Sequence, residues 1–216
     1  MFMTSNLTQA IHAYDKAETR RLVESGAKIF EPGALGETPV VAAIAQMVFH
    51  TWPTDNTSAF LDIIEETHPN ILIQTDAKGR NVMHQIAESR RWSMISKPEE
   101  FAKRFPILKQ VAKHINRKDA KGVTPLELAA RNGHTQTVNL FVELGAQINQ
   151  KVVMEAAKNG HWQCVSGMLS MNPETYSADM LDIMFSANDG RSNPWKAEGG
   201  KDVRTKIIAQ NYTLNR

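Results

Sequence analysis

One cysteine, Cys164, is all the chain has, so no internal disulfide can staple it and a reducing compartment is expected. Aromatic residues make up only 7% of the sequence, so any core must be built mainly from Leu, Ile, Val, Ala and the ten Met residues. No run approaches the roughly 18 uninterrupted apolar residues of a membrane span, which removes a spanning helix from the expectations. Residues 1–14 lack a basic stretch followed by an apolar one, so no secretory leader is expected. Neither sign of charge dominates, at a net +2, yet the charge is unevenly placed. Residues 1–85 carry 6 basic and 10 acidic side chains, 86–121 carry 10 and 4, and the remainder has 9 of each. Such asymmetry can steer an anionic partner, although a charge run on a helical protein is more commonly a solvated face.

What the sequence does have is punctuation. In 119–149, DAKGVTPLELAARNGHTQTVNLFVELGAQIN, Asp119, Lys121 and Gly122 spell a turn in which glycine tolerates positive φ. Thr124 is a good N-cap, and Pro125 takes the first helical position, where a missing N–H does no harm. Leu126, Leu128, Ala129 and Ala130 follow as a narrow apolar helix, which Gly133 ends. Val138, Leu140, Phe141 and Leu144 then recur at helical spacing up to Gly145. Two antiparallel helices and a turn cannot bury their apolar faces alone, so neighbours are required on both sides.

Gly122, Thr124-Pro125-Leu126, Ala129-Ala130, Gly133-His134, Val138, Gly145-Ala146 and Asn149 together closely resemble the ankyrin repeat, with its T-P-L-H-x-A element and period of about 33 residues. Glu127 departs from the family, which has His there. Weaker copies flank this unit: Ala10 to Ile29, the stretch opened by Gly36-Glu37-Thr38-Pro39, the stretch opened by Asp76-Ala77-Lys78-Gly79 with His84 and Ala87, and Met154 to Leu169. The fold expected is therefore all-α, an ankyrin-repeat solenoid of stacked helix–turn–helix units with short hairpin-like turns. About five repeats fill 1–171. Residues 172–216 then form a degenerate helical cap, with a loosely attached tail as the other reading.

The turn glycine recurs at 36, 79 and 122, a step of 43. Against a period of about 33, repeats two and three carry roughly ten extra residues, placed between their helices near 50–58 and 90–105. These inserts bear Trp52 and Trp92, which either pack together or form a secondary partner patch.

Chemistry is thin. His84, His134 and His161 fall in repeat positions that the family uses structurally, and the other histidines are scattered without ligand spacing. Cys164 lacks an identifiable base, no glycine-rich phosphate loop occurs, and adjacent glutamates point to different sides of a helix. No enzyme, no metal and no cofactor are expected.

The resemblance instead implies a protein-binding adaptor or scaffold acting through its turn tips and first helices, which line a concave groove. By motif, the tips are Glu37, Lys78, Arg80, Lys121 and Val123, and the groove-lining positions are Gln46, Gln85, Glu88, Arg131 and Asn132. Basic tips favour an acidic stretch on a protein partner of a monomeric, cytoplasmic chain. A small, irregular array of this kind also looks like the effectors that intracellular bacteria deliver into host cells. The alternative function is a nucleic-acid or anionic-lipid binder using the basic 90–121 segment, disfavoured because interleaved aromatics and a base-reading helix are missing there.

Overall fold

The computed structural model describes residues 6–33, 37–49, 59–94, 97–99 and 106–172. Among them all regular structure is helical. Five helical pairs follow one another: α1 (Asn6–His12) with α2 (Lys16–Glu24), α3 (Pro39–Phe49) with α4 (Ala59–Thr67), α5 (Val82–Glu88) with α6 (Pro106–Val111), α7 (Pro125–Arg131) with α8 (Thr135–Glu143), and α9 (Gln150–Lys158) with α10 (Trp162–Met171). The insert with Trp52 lies outside the described residues, as does the cap expected over 172–216 beyond Asn172.

The punctuation works as chemistry. Thr124 sits in extended conformation, its Oγ1 accepts the Glu127 N–H at 3.2 Å, and Pro125 opens α7. Asn149 accepts the Val152 N–H at 3.1 Å ahead of α9, and Asp15 accepts the Glu18 N–H at 2.9 Å ahead of α2. Asn81 and His84 form a reciprocal capping box at the start of α5. Each such bond satisfies one of the orphan donors of a helix's first turn.

Bonds that close the tips recur every 43 residues. Gly33 N–H donates to Glu37 O, Asp76 N–H to Arg80 O and Asp119 N–H to Val123 O, at 2.8, 3.0 and 2.8 Å. Asp76 Oδ1 accepts the N–H groups of Lys78 and Arg80, and Asp119 Oδ1 those of Lys121 and Val123. Neighbouring tips are tied directly by Ala120 N–H donating to Lys78 O at 2.9 Å. Gly79, at φ +72°, lies so close to this junction that a Cβ would come within 3.0 Å of Ala120 N.

First helices pack on first helices in the order α1, α3, α5, α7, α9, and second helices pack as α2 on α4 and α8 on α10. One continuous core runs through the pairs, from Leu7 and Ile11 through Ile44, Phe60 and Ile86 to Leu126, Phe141 and Val165. Burying one such side chain contributes about 1.5–3 kcal/mol. Trp92 belongs to this core. It is fully buried in a 3-10 turn, Arg90–Met94, that packs against α5 and α8. It therefore forms no exposed patch; a loop indole becomes core here because the turn folds under the neighbouring repeat.

Histidines hold the register. His84 sits with Nδ1 2.7 Å from Asn81 Oδ1 and Nε2 2.9 Å from Val123 O, on the next tip. His134 Nδ1 lies 2.9 Å from Ala87 O and His161 Nε2 3.0 Å from Arg131 O, each at the end of the preceding first helix. Burial holds the His84 imidazole below its ordinary value, against the opposing pull of Val123 O and Asp119; burial does the same to His134.

Gly133 has φ +71°, and a Cβ there would fall 2.4 Å from the His161 ring, whereas Gly122, at φ +73°, faces open space. Gly122→Ala should cost only the left-handed backbone penalty, about 1–2 kcal/mol, and Gly133→Ala clearly more; equal urea midpoints would refute the ring contact. His84 and His134 both titrate lower in the fold than when unfolded, so the stability they give is fully present above the ordinary 6.5 and is lost as pH falls below it. The urea midpoint should drop between pH 7.5 and 5.5. His84→Gln should be less stable at pH 7.5 by about 1–2 kcal/mol and show a smaller drop. An undiminished drop in that variant assigns the dependence elsewhere.

Candidate protein-binding face

The expected groove residues separate into two groups. Glu37, Gln46, Gln85 and Val123 are buried, at 3, 1, 4 and 8% exposure, and so are not available to a partner. The Glu37 carboxylate lies 3.3 Å from His12 Nε2, accepts from Ser89 Oγ at 2.7 Å and faces Arg91 at 3.9 Å. Gln46 Nε2 donates to Ile11 O at 3.4 Å, and Gln85 Oε1 accepts from Thr38 Oγ1 at 2.5 Å. Val123 is taken up by the tip itself, through Asp119 and His84.

The cause is visible in α3. Every residue from Pro39 to Gln46 is buried, and the helix is PVVAAIAQMVF, apolar on all sides. A helix that faces solvent on one side needs a polar stripe. The missing stripe was the signal that repeat two presents no open first-helix face.

The second group is exposed and polar. Lys78 and Lys121 stand at adjacent tips, while Glu88 and Asn132 are exposed at the ends of α5 and α7. Arg80 is mostly enclosed, bound to Asp76 at 2.7 Å and to Glu88 at 2.6 Å. Burial alone would raise the Asp76 carboxyl, but hydrogen bonds from Arg80 and the Lys78 N–H, with the Arg80 charge, hold it below its ordinary value. Arg131 is half-exposed and pairs with Glu155 on α9 at 2.9 Å. Beside it, Lys151 on α9 reaches the buried Glu127 carboxylate at 2.8 Å. Lys151 and Glu155 were not anticipated, because cross-repeat pairing leaves no local spacing to read.

Lys78 and Lys121 thus differ from their neighbours, since neither enters an ion pair among the described residues. Their tips are joined through Ala120 N–H and Lys78 O, so two solvated cations sit side by side on a fixed backbone.

Cys164 is buried, burial pushes its thiol up, and its Sγ lies 3.1 Å from Thr135 Oγ1. That is the opposite of an activated nucleophile. Among the described residues no three His, Cys, Asp or Glu gather to hold a metal, and no helix is long and apolar enough to cross a membrane. In the basic segment Lys109, Lys113, Arg117 and Lys118 are exposed around α6, whereas Lys103 and Arg104 lie outside the described residues.

The family model for ankyrin repeats, in three copies, matches residues 98–179. Among curated proteins, the chain is similar to a probable E3 ubiquitin-protein ligase, XBOS33, of Oryza sativa subsp. japonica, with 35% identity across 31% of this chain and 15% of that protein. It is also similar to the transcription factor MBP1 of Kluyveromyces lactis, with 27% identity across 77% of this chain and 22% of that protein. A third relative is the ankyrin repeat and KH domain-containing protein mask-1 of Caenorhabditis elegans, with 38% identity across 32% of this chain and 3% of that protein. The chain spans less than a quarter of each relative's length. The matched segment takes in the fourth and fifth helical pairs and the second helix of the third; the two pairs before it repeat the same architecture. With its helical pairs, its tips and this match in agreement, the chain carries ankyrin repeats across residues 98–179.

Proposed function

We propose that the chain is a non-catalytic adaptor that holds an acidic stretch of a protein partner across the tips and first helices of repeats three to five. Ankyrin repeats are generic protein-interaction modules. The observation that carries the narrower reading is the pair of solvated cations, Lys78 and Lys121, on adjacent tips tied by a backbone hydrogen bond. A partner carboxylate there gains two positive charges and displaces no existing salt bridge. At Arg80, Arg131 or Lys151 it would have to compete with Asp76, Glu155 or Glu127. The neighbouring Glu88 and Asn132 border this path. Action as a monomer in the cytoplasm, including that of a host cell entered by a bacterial effector, belongs to the same reading, and the buried thiol of Cys164 fits such a reducing compartment.

The test is capture from a cell lysate by the wild-type chain beside Lys78→Glu/Lys121→Glu. Reversing two rim charges should weaken the captured protein's binding by roughly tenfold or more, with the remaining affinity less sensitive to salt. A partner indifferent to the double substitution refutes the tip assignment. Nucleic acid as the main catch, lost steeply with salt, would transfer the function to the exposed basic residues around α6.

A further inference from the structure

Between the turn that leaves α2 and the second tip lies an open cleft of about 580 Å³, lined by residues 26–32, His68, Gln74, 76–78 and Arg80. Its size falls within the range of sites that enclose a ligand group, about 300–1,000 Å³. We propose that this cleft seats an apolar side chain of the protein partner, next to an acidic residue of the same partner segment held by Lys78. This rests on the assignment of Lys78 as a partner contact.

Three observations place the apolar group inside and the acid at the rim. The first is the wall. Ala27 and Phe30 are partly buried apolar side chains packed against the core, Pro32 is exposed beside them, and Ala77 is exposed across the gap. An incoming aliphatic or aromatic group would cover the open parts of Phe30 and Pro32, removing apolar surface from water.

The second is the charge balance. Lys28 pairs with Glu31 at 2.5 Å, and Arg80 with Asp76 at 2.7 Å. The lining charges thus cancel in pairs, apart from Lys78, which has no anion among the described residues. The third is the backbone field. Gly26 and Ala27 directly follow the last turn of α2, and His68 directly follows α4. Two helix C-termini therefore end at this cleft, and their partial negative charge disfavours an anion on its floor. The carboxylate belongs at Lys78, and the floor is left to an uncharged group.

The walls are also fixed in advance. Gly26 N–H donates to Val23 O, Ala27 N–H to Leu22 O and Asp76 N–H to Arg80 O, and Gln74 Nε2 donates to Pro69 O. Little order has to be created on binding, which favours affinity from a small contact. Because Lys78 lines the same cleft, the apolar and acidic residues must be near neighbours in an extended partner segment.

Random displayed peptides selected on the full chain test this, with the enriched sequences compared among the wild type, Ala77→Trp and Lys78→Glu/Lys121→Glu. Ala77 is exposed and outside any helix, so the indole fills the cleft mouth without touching the core; unchanged helical circular dichroism checks that the fold is kept. The wild type should enrich peptides in which Leu, Ile, Phe or Met adjoins Asp or Glu. Ala77→Trp should keep the acidic preference, lose the apolar one, and bind a synthetic copy of an enriched peptide about tenfold more weakly. Acidic peptides with no apolar preference, a preference that survives Ala77→Trp, or no enrichment at all would overturn the cleft. Enrichment indifferent to the double charge reversal would instead overturn the tip assignment beneath it.

Discussion

No helical pair in this chain can cover its own apolar face, so every pair depends on the register at which its neighbours dock. That register is fixed by polar bonds rather than by the aliphatic side chains, which could slide. The last carbonyls of a helix lack partners within it. Here Ala87 O at the end of α5 and Arg131 O at the end of α7 receive the rings of His134 and His161 from the following repeat. The tips are linked in the same sense, by His84 reaching Val123 O and by Ala120 N–H reaching Lys78 O. The His134 and His161 bonds occupy carbonyls at helix ends, and the His84 bond adds a second partner to Val123 O, which already accepts the Asp119 N–H.

The departure at Glu127 shows what this constraint tolerates. Glu127 and His84 occupy the same third helical position, and both are buried. His84 links to the next repeat through a tip carbonyl, whereas Glu127 does so through the Lys151 ammonium. The side chain has changed and the cross-repeat link has been kept. A carboxylate at this depth needs such a partner, because an unpaired buried charge is far more costly than a lost surface pair. Replacing the family's histidine by glutamate is thus intelligible only together with Lys151, 24 residues away.

Much of the fold was legible because its signals are local. Glycines at positive φ, Thr or Asn caps and Pro125 each act within one turn, so they mark where helices begin and end. The step of 43 was equally readable, and the backbone bonds between 33 and 37, 76 and 80, and 119 and 123 follow it. The candidate face was less legible because transferring positions from repeat to repeat assumes that every repeat shows the same side to solvent. Gln46 and Gln85 sit at the expected positions and point into polar contacts of the stack instead. The run Val40 to Ala45 carried the missed signal, since it has no polar side. Trp92 misleads for the opposite reason: its local sequence reads as an insert, and only tertiary packing against α8 makes it core.

What a partner can use is then set by which charges are already spent. Arg80, Arg131 and Lys151 each hold an anion of the chain itself, and enlisting one of them requires breaking a bond that also ties the repeats together or steadies a tip. Lys78 and Lys121 carry no such obligation. Their backbones are nevertheless rigid, because the Asp76 and Asp119 carboxylates accept the N–H groups on either side of the turn glycines. A cation whose backbone is fixed and whose side chain is free gives up little order and no internal bond when it meets a carboxylate. The same hairpin geometry that locks the stack therefore leaves two cations, unpaired among the described residues, on fixed backbones at adjacent tips.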